Sequence, residues 1–179
     1  MKVRCSSLLF LLAAILITAG CTHNKTVEGF SATNWSKIGR QAIDANRWNE
    51  ALNAYDKVLE LNPNDASAYY NRGLAYDNLD KNDLAIADYS KAIELNPEYG
   101  DAFKNLAKNF SRRGDYRRAI LYYDRAIEIN RKDADAYYNR GDAFSRLGNS
   151  NYANEDLKKA AKLGNILAQK YLKEKGINW

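Results

Sequence analysis

At 179 residues the chain has room for one domain and a leader, and is too short for a large multidomain enzyme. Hydrophobic residues make up 46% and charged residues 27%, as in globular proteins, while two prolines and ten glycines exclude disordered tracts and a turn-rich β fold and favour helix. The formal net charge is +5, and the side chains most used in catalysis and metal binding, Cys5, Cys21 and the single His23, all fall near the start, so no catalytic residue, metal site or cofactor is assigned to the rest.

Residues 1–20 read as a leader. Lys2 and Arg4 precede an apolar or neutral run from Leu8 to Ala19, which at twelve residues falls short of the roughly 20 a permanent membrane span needs. Thr18-Ala19-Gly20-Cys21 then places small residues before a cysteine and resembles the bacterial lipobox, with Thr18 standing where an aliphatic residue is usual. That resemblance implies a signal peptide of residues 1–20 and acylation of Cys21, which begins a linker through residue 31; an ordinary secretory leader with Cys21 nearby is the alternative. Without Lys2 and Arg4, 25 basic residues face 22 acidic ones, a net +3 that favours no nucleic-acid partner. The ten residues from Thr22 to Ser31 reach at most about 35 Å, so whatever follows works close to the membrane. Thr22 rather than aspartate after the cysteine would, in enterobacteria, favour export to the outer membrane, facing the periplasm.

From residue 32 the chain superimposes on itself at a shift of 34 residues. Four columns carry the period: Trp35, Tyr69, Phe103, Tyr137; Gly39, Gly73, Ala107, Gly141; Ala51, Ala85, Ala119, Ala153; and Tyr55, Tyr89, Tyr123, Leu157. Small residues let one helix approach its partner closely, and aromatics fill the space around them. Each unit therefore reads as two helices of about 14 residues joined by a short turn, as at Arg113-Gly114-Asp115 and Leu147-Gly148-Asn149. Asn62-Pro63 and Asn96-Pro97 end second helices because proline cannot continue them; Arg131 in the third copy predicts a less sharp junction there.

The period and its residue types resemble the tetratricopeptide repeat. The resemblance covers residues 32–167 and implies an all-α, right-handed solenoid of four helix pairs, at 32–65, 66–99, 100–133 and 134–165, closed by a capping helix and tail at 166–179. Ile166, Leu167 and Leu172 are expected on the buried side of that cap. The stretch from Ala160 to Gln169 is also similar to the join between Sel1-like repeats.

Arg72 and Arg140 occupy a column that is apolar in the other copies (Ile38, Leu106), and only those two repeats carry aspartate sixteen residues later, at Asp88 and Asp156. Columns that switch together predict ion pairs between the helices of a repeat, Arg72 with Asp88 and Arg140 with Asp156.

The resemblance further implies that the first helices line a concave groove. Carried over position by position, that groove presents Lys37 and Arg40, then Tyr70, Asn71 and Leu74, then Lys104, Asn105, Lys108 and Arg112, and finally Tyr138, Asn139 and Asp142. Asn71, Asn105 and Asn139 recur at the repeat spacing, and an amide column of this kind can hydrogen-bond an extended peptide backbone at regular intervals. Lys104, Lys108 and Arg112 make a basic row on one helix face, open either to an acidic segment or simply to solvent. Ser36, Arg40, Asp101 and Asn105 stand where a chaperone-tail clamp would need other residues, so that specialised activity is not expected. Arg113-Gly114-Asp115 is what a turn followed by a helix cap requires, not an adhesion motif. These readings predict a non-catalytic, membrane-tethered scaffold that binds a protein or peptide, in the manner of envelope-machine accessories for pilus, secretin, outer-membrane protein or cell-wall enzyme assembly. The alternative is a homo-oligomeric structural lipoprotein working through its ends or convex face.

Overall fold

The computed structural model describes residues 26–27 and 30–179; the leader at 1–20 and the acylation site Cys21 lie outside the described residues. Eight helices follow as four pairs: α1 (Ala32–Asp44) with α2 (Trp48–Leu61), α3 (Ala66–Asn78) with α4 (Asn82–Leu95), α5 (Gly100–Arg112) with α6 (Tyr116–Ile129), and α7 (Ala134–Arg146) with α8 (Ser150–Lys162). A shorter helix, α9 (Ile166–Glu174), packs on α8. Each helix packs mainly on its neighbours in sequence, and the first helices of adjacent pairs also meet, α1 with α3 and α5 with α7. No helix among the described residues is long and apolar enough to cross a membrane.

Local chemistry sets the helix ends. Asp65, Asp133 and Asn165 accept the backbone N–H of the residue three further on, capping α3, α7 and α9 at 3.0, 2.9 and 2.8 Å. Within each pair the turn needs one residue in the left-handed region, and it falls at the repeat spacing: Asn46 and Asp80 (φ 56° each), Gly114 (77°) and Gly148 (80°). Between pairs, Asn62, Asn96 and Asn130 end the second helices with nearly the same backbone, ψ 86°, 92° and 92°. The junction at Arg131 is therefore as sharp as the two that contain proline, contrary to expectation. Asn130 Oδ1 accepts Lys132 N–H at 3.0 Å, as Asn96 Oδ1 accepts Glu98 N–H at 3.1 Å, so the asparagine makes the turn and proline only follows it.

The core runs the length of the stack. Tyr55, Tyr89 and Tyr123 are at most 2% exposed, beside fully buried Ala51, Ala85 and Ala119. A Cβ on Gly39 would lie 2.7 Å from the Tyr55 ring and one on Gly141 3.2 Å from the Ala153 carbonyl, which fixes the close approach of the paired helices.

The two ends differ. At the first, Thr26–Val27 (β1) and Phe30–Ser31 (β2) pair antiparallel against α1 and α2, and the Phe30 ring sits 5.4 Å from Trp35. At the other, Leu172 is fully buried with Ala168 against Leu157, Ala160 and Ala161, but Ile166 and Leu167 are 76% and 58% exposed. Their expected burial is thus corrected: at 100° per residue, the side of α9 that places Ala168 and Leu172 on α8 turns Ile166 and Leu167 outward.

Candidate functional site

The arginine column is built into the interfaces between repeats. Arg72 donates through Nε and Nη2 to the two Asp88 oxygens, both at 2.8 Å, and Arg140 does the same to Asp156 at 2.8 and 2.7 Å. Each guanidinium also reaches back to the preceding repeat, Nη1 of Arg72 to Asp56 at 2.7 Å and Nη1 of Arg140 to Asp124 at 2.5 Å. Asp88 and Asp156 are each 7% exposed, so these arginines tie three helices together and are not presented to a ligand. Asp56 and Asp124 went unread in the sequence, although they lie sixteen residues before each arginine as the others lie sixteen after.

The first helices do converge on one another through the groove positions. Asn105 donates to the Tyr70 hydroxyl at 3.2 Å, joining α5 to α3. Burial pushes the Tyr70 phenol up to about 12, which keeps it a neutral donor and acceptor. Asp77 on α3 receives the fully buried Asn109 amide at 3.3 Å and an ion pair from Arg112. Asn109 stands in a column with Gln41, Ala75 and Ala143, and a polar residue between two alanines was the signal available in the sequence. Asn71 and Asn139 each donate to the carbonyl four residues back, at 2.8 and 2.7 Å, and neither Oδ1 accepts a hydrogen bond among the described residues.

The basic row is divided by its partners. Lys104 is only 17% exposed and is held by Asp133 at 2.7 Å and Asp101 at 3.1 Å, a strut between α5 and the start of α7. Arg112 is taken by Asp77. Lys108 has no carboxylate partner among the described residues. It lines a cleft of about 320 Å³ between α5 and α7 with Ser111, Arg112, Tyr123, Asn139 and Asp142. The Ser111 hydroxyl there is buried beside the Tyr123 phenol. Tyr138 and Asp142 border a smaller hollow of about 60 Å³ with Tyr171 of α9. Lys37, Arg40 and Leu74 lie on α1 and α3; Lys37 and Arg40 are exposed, and no ion pair holds either among the described residues. No group of three or more metal-ligating side chains occurs among the described residues.

Comparison with known proteins gives consistent matches. A model of the TPR repeat matches residues 39–80 and 110–148, and two models of the tetratricopeptide repeat match residues 66–99 and 134–163, together well over half of the chain. No curated protein matches. Among solved structures, a crystal structure of MamA is 29% identical over 77% of this chain and 81% of its own, with a TM-score of 0.71. MamA from residue 41 to its end, from Desulfovibrio magneticus RS-1, shares the fold at 22% identity and a TM-score of 0.70, over 74% of this chain and 75% of that one.

Proposed function

This chain belongs to the tetratricopeptide repeat family, and on that premise we propose that it is a non-catalytic scaffold holding an extended segment of a partner protein along its first helices. The observation that carries this reading is the α5–α7 cleft. There Lys108, with no carboxylate partner among the described residues, and Asn139, whose oxygen accepts no hydrogen bond among them, line one opening, flanked by Asp142. Such a surface offers a cation for an acidic side chain and an acceptor for a backbone N–H, the requirements of an extended peptide. Asn71 and Asn105 likewise commit only their amide N–H groups, to Ser67 and Tyr70, so among the described residues the column keeps an acceptor oxygen in each of the three repeats.

The same proposal has Cys21 acylated and the scaffold tethered in a bacterial envelope, with the outer membrane and the periplasm as its setting; the lipobox-like Thr18-Ala19-Gly20-Cys21 supports it. The test is crosslinking capture from envelope membranes with the native chain beside a variant carrying Lys108→Ala and Asn139→Ala. Partners held by the native chain and lost from the variant, with the fold intact by circular dichroism, are the expected result. Equal capture by both would move the working surface elsewhere. Fatty-acid labelling that disappears in Cys21→Ser checks the tether separately.

A further inference from the structure

Charge is distributed unevenly along this chain. From Lys158 to Trp179 there are six lysines and one acidic residue, Glu174, while the other 21 basic residues of the chain are matched by 21 acidic ones. The net +5 of the whole molecule therefore resides in its last 22 residues. None of these six lysines has a carboxylate partner among the described residues, whereas Arg72, Lys104, Arg112 and Arg140 in the earlier repeats are all held by aspartates.

The same end carries the most exposed apolar residues of α9 and the tail. Ile166 is 76% exposed, Leu167 58%, Tyr171 40% and Trp179 43%. Helical spacing puts Ile166, Leu167, Lys170 and Tyr171 on one side of α9, opposite the buried Ala168 and Leu172. An outward face that interleaves aliphatic and aromatic side chains with lysines has two demands: burial of apolar area and a source of negative charge.

We propose that the α9 end of the solenoid docks on an anionic lipid bilayer. Ile166, Leu167 and Tyr171 enter the interfacial zone, and the surrounding lysines meet headgroup phosphates. Tyrosine and tryptophan suit that zone because each joins an apolar ring to a polar tip. A second copy of the chain is the poorer occupant, since two identical faces would press lysines against lysines. Nucleic acid would satisfy the lysines and leave Ile166 and Leu167 in water.

The test is flotation of the full chain with vesicles of phosphatidylcholine alone, and of phosphatidylcholine with about 30 mol % phosphatidylglycerol. Binding is expected to be about tenfold or more tighter on the anionic vesicles and to weaken with salt. Lys170→Glu with Lys173→Glu should remove that preference, and Leu167→Glu should weaken binding to the anionic vesicles by about tenfold. All three side chains are exposed, so thermal melting should be unchanged. The chain floated keeps residues 1–20 uncleaved in every form, so their contribution is common to all, and an anionic preference unchanged by both the double lysine variant and Leu167→Glu overturns the proposal. A loss of dimer mass in solution without a change in vesicle binding would assign the face to a second copy and overturn it too. So would lysine-dependent binding to a short DNA duplex with vesicle binding unaffected by any variant.

Discussion

A guanidinium held by two carboxylates at the interface of two repeats gives strength that depends on every member being present. Removing one carboxylate leaves a mostly buried charge short of a partner, whereas replacing the set with packed apolar groups can be nearly neutral. The chain contains that apolar version: Leu106 and Tyr122 occupy in the third repeat the positions of Arg140 and Asp156 in the fourth. Asp156→Ala is therefore expected to cost about 2 kcal/mol in urea unfolding, less than a fully buried pair because Arg140 keeps Asp124. Arg140→Leu with Asp156→Tyr should lose less than that single change. At Gly39 the constraint is steric. An added methyl meets Tyr55 ring carbons at 2.7 and 2.8 Å, and Tyr55 is only 2% exposed, with little room to move. Gly39→Ala should destabilise by about 1–3 kcal/mol of strain, offset by about 1 kcal/mol of helix propensity, a net loss readable as a lower Tm.

Helix starts and turns govern the next scale, and Asp133 serves twice there. It caps α7 through Ala136 N–H and binds Lys104 across from α5. Its burial would raise the carboxyl, but the hydrogen bond from Lys104 and those from the backbone outweigh it and hold the group below its ordinary 3.8. A depressed carboxyl contributes stability that is present above the ordinary value and is lost as pH falls through the folded one. Lys104 is shifted upward by Asp133 and Asp101 against the effect of burial, so its share persists until pH rises past its ordinary 10.5. Tm should fall on acidification below about pH 4, and Asp133→Asn, which keeps a capping oxygen but not the charge, should flatten that limb. The turns make a milder prediction. Asp80 takes φ 56° where Gly114 and Gly148 stand in later repeats, so Asp80→Gly should cost nothing or stabilise by up to about 0.5 kcal/mol in the same urea assay.

For the whole stack, buried phenols set the alkaline limit. Burial pushes Tyr55 and Tyr70 up to about 12, and raises Tyr89 and Tyr123 as well. A group whose folded value is raised contributes stability that is complete below its unfolded value, near 10, and is lost as pH rises towards the folded one. Unfolding should therefore set in between about pH 10 and 12, with absorbance at the phenolate band rising in step with loss of helix rather than ahead of it. The far end of the stack depends on α9, since Leu172 is fully buried against the last repeat. Leu172→Ala should cost about 2–4 kcal/mol, and its effect should be felt first in α7 and α8 because each repeat leans on its neighbours.

The sequence by itself determined what repeats: the 34-residue period, the paired helices, the small and aromatic columns, and the arginine and aspartate columns that switch together. These are legible because one environment recurs and selects the same residue type each time, so the copies serve as controls for one another. Only the tertiary structure decided what happens between and beyond the copies. It gave Arg72 and Arg140 a second aspartate from the preceding repeat, withdrew Lys104 from the groove by pairing it with Asp133, and left Lys108 without such a partner among the described residues. It also turned Ile166 and Leu167 outward, because α9 has a neighbouring helix on one side and none on the other among the described residues. A periodic pattern marks which residues share a face; which face is covered, and which charge finds a partner, depends on where the next helix lies in space.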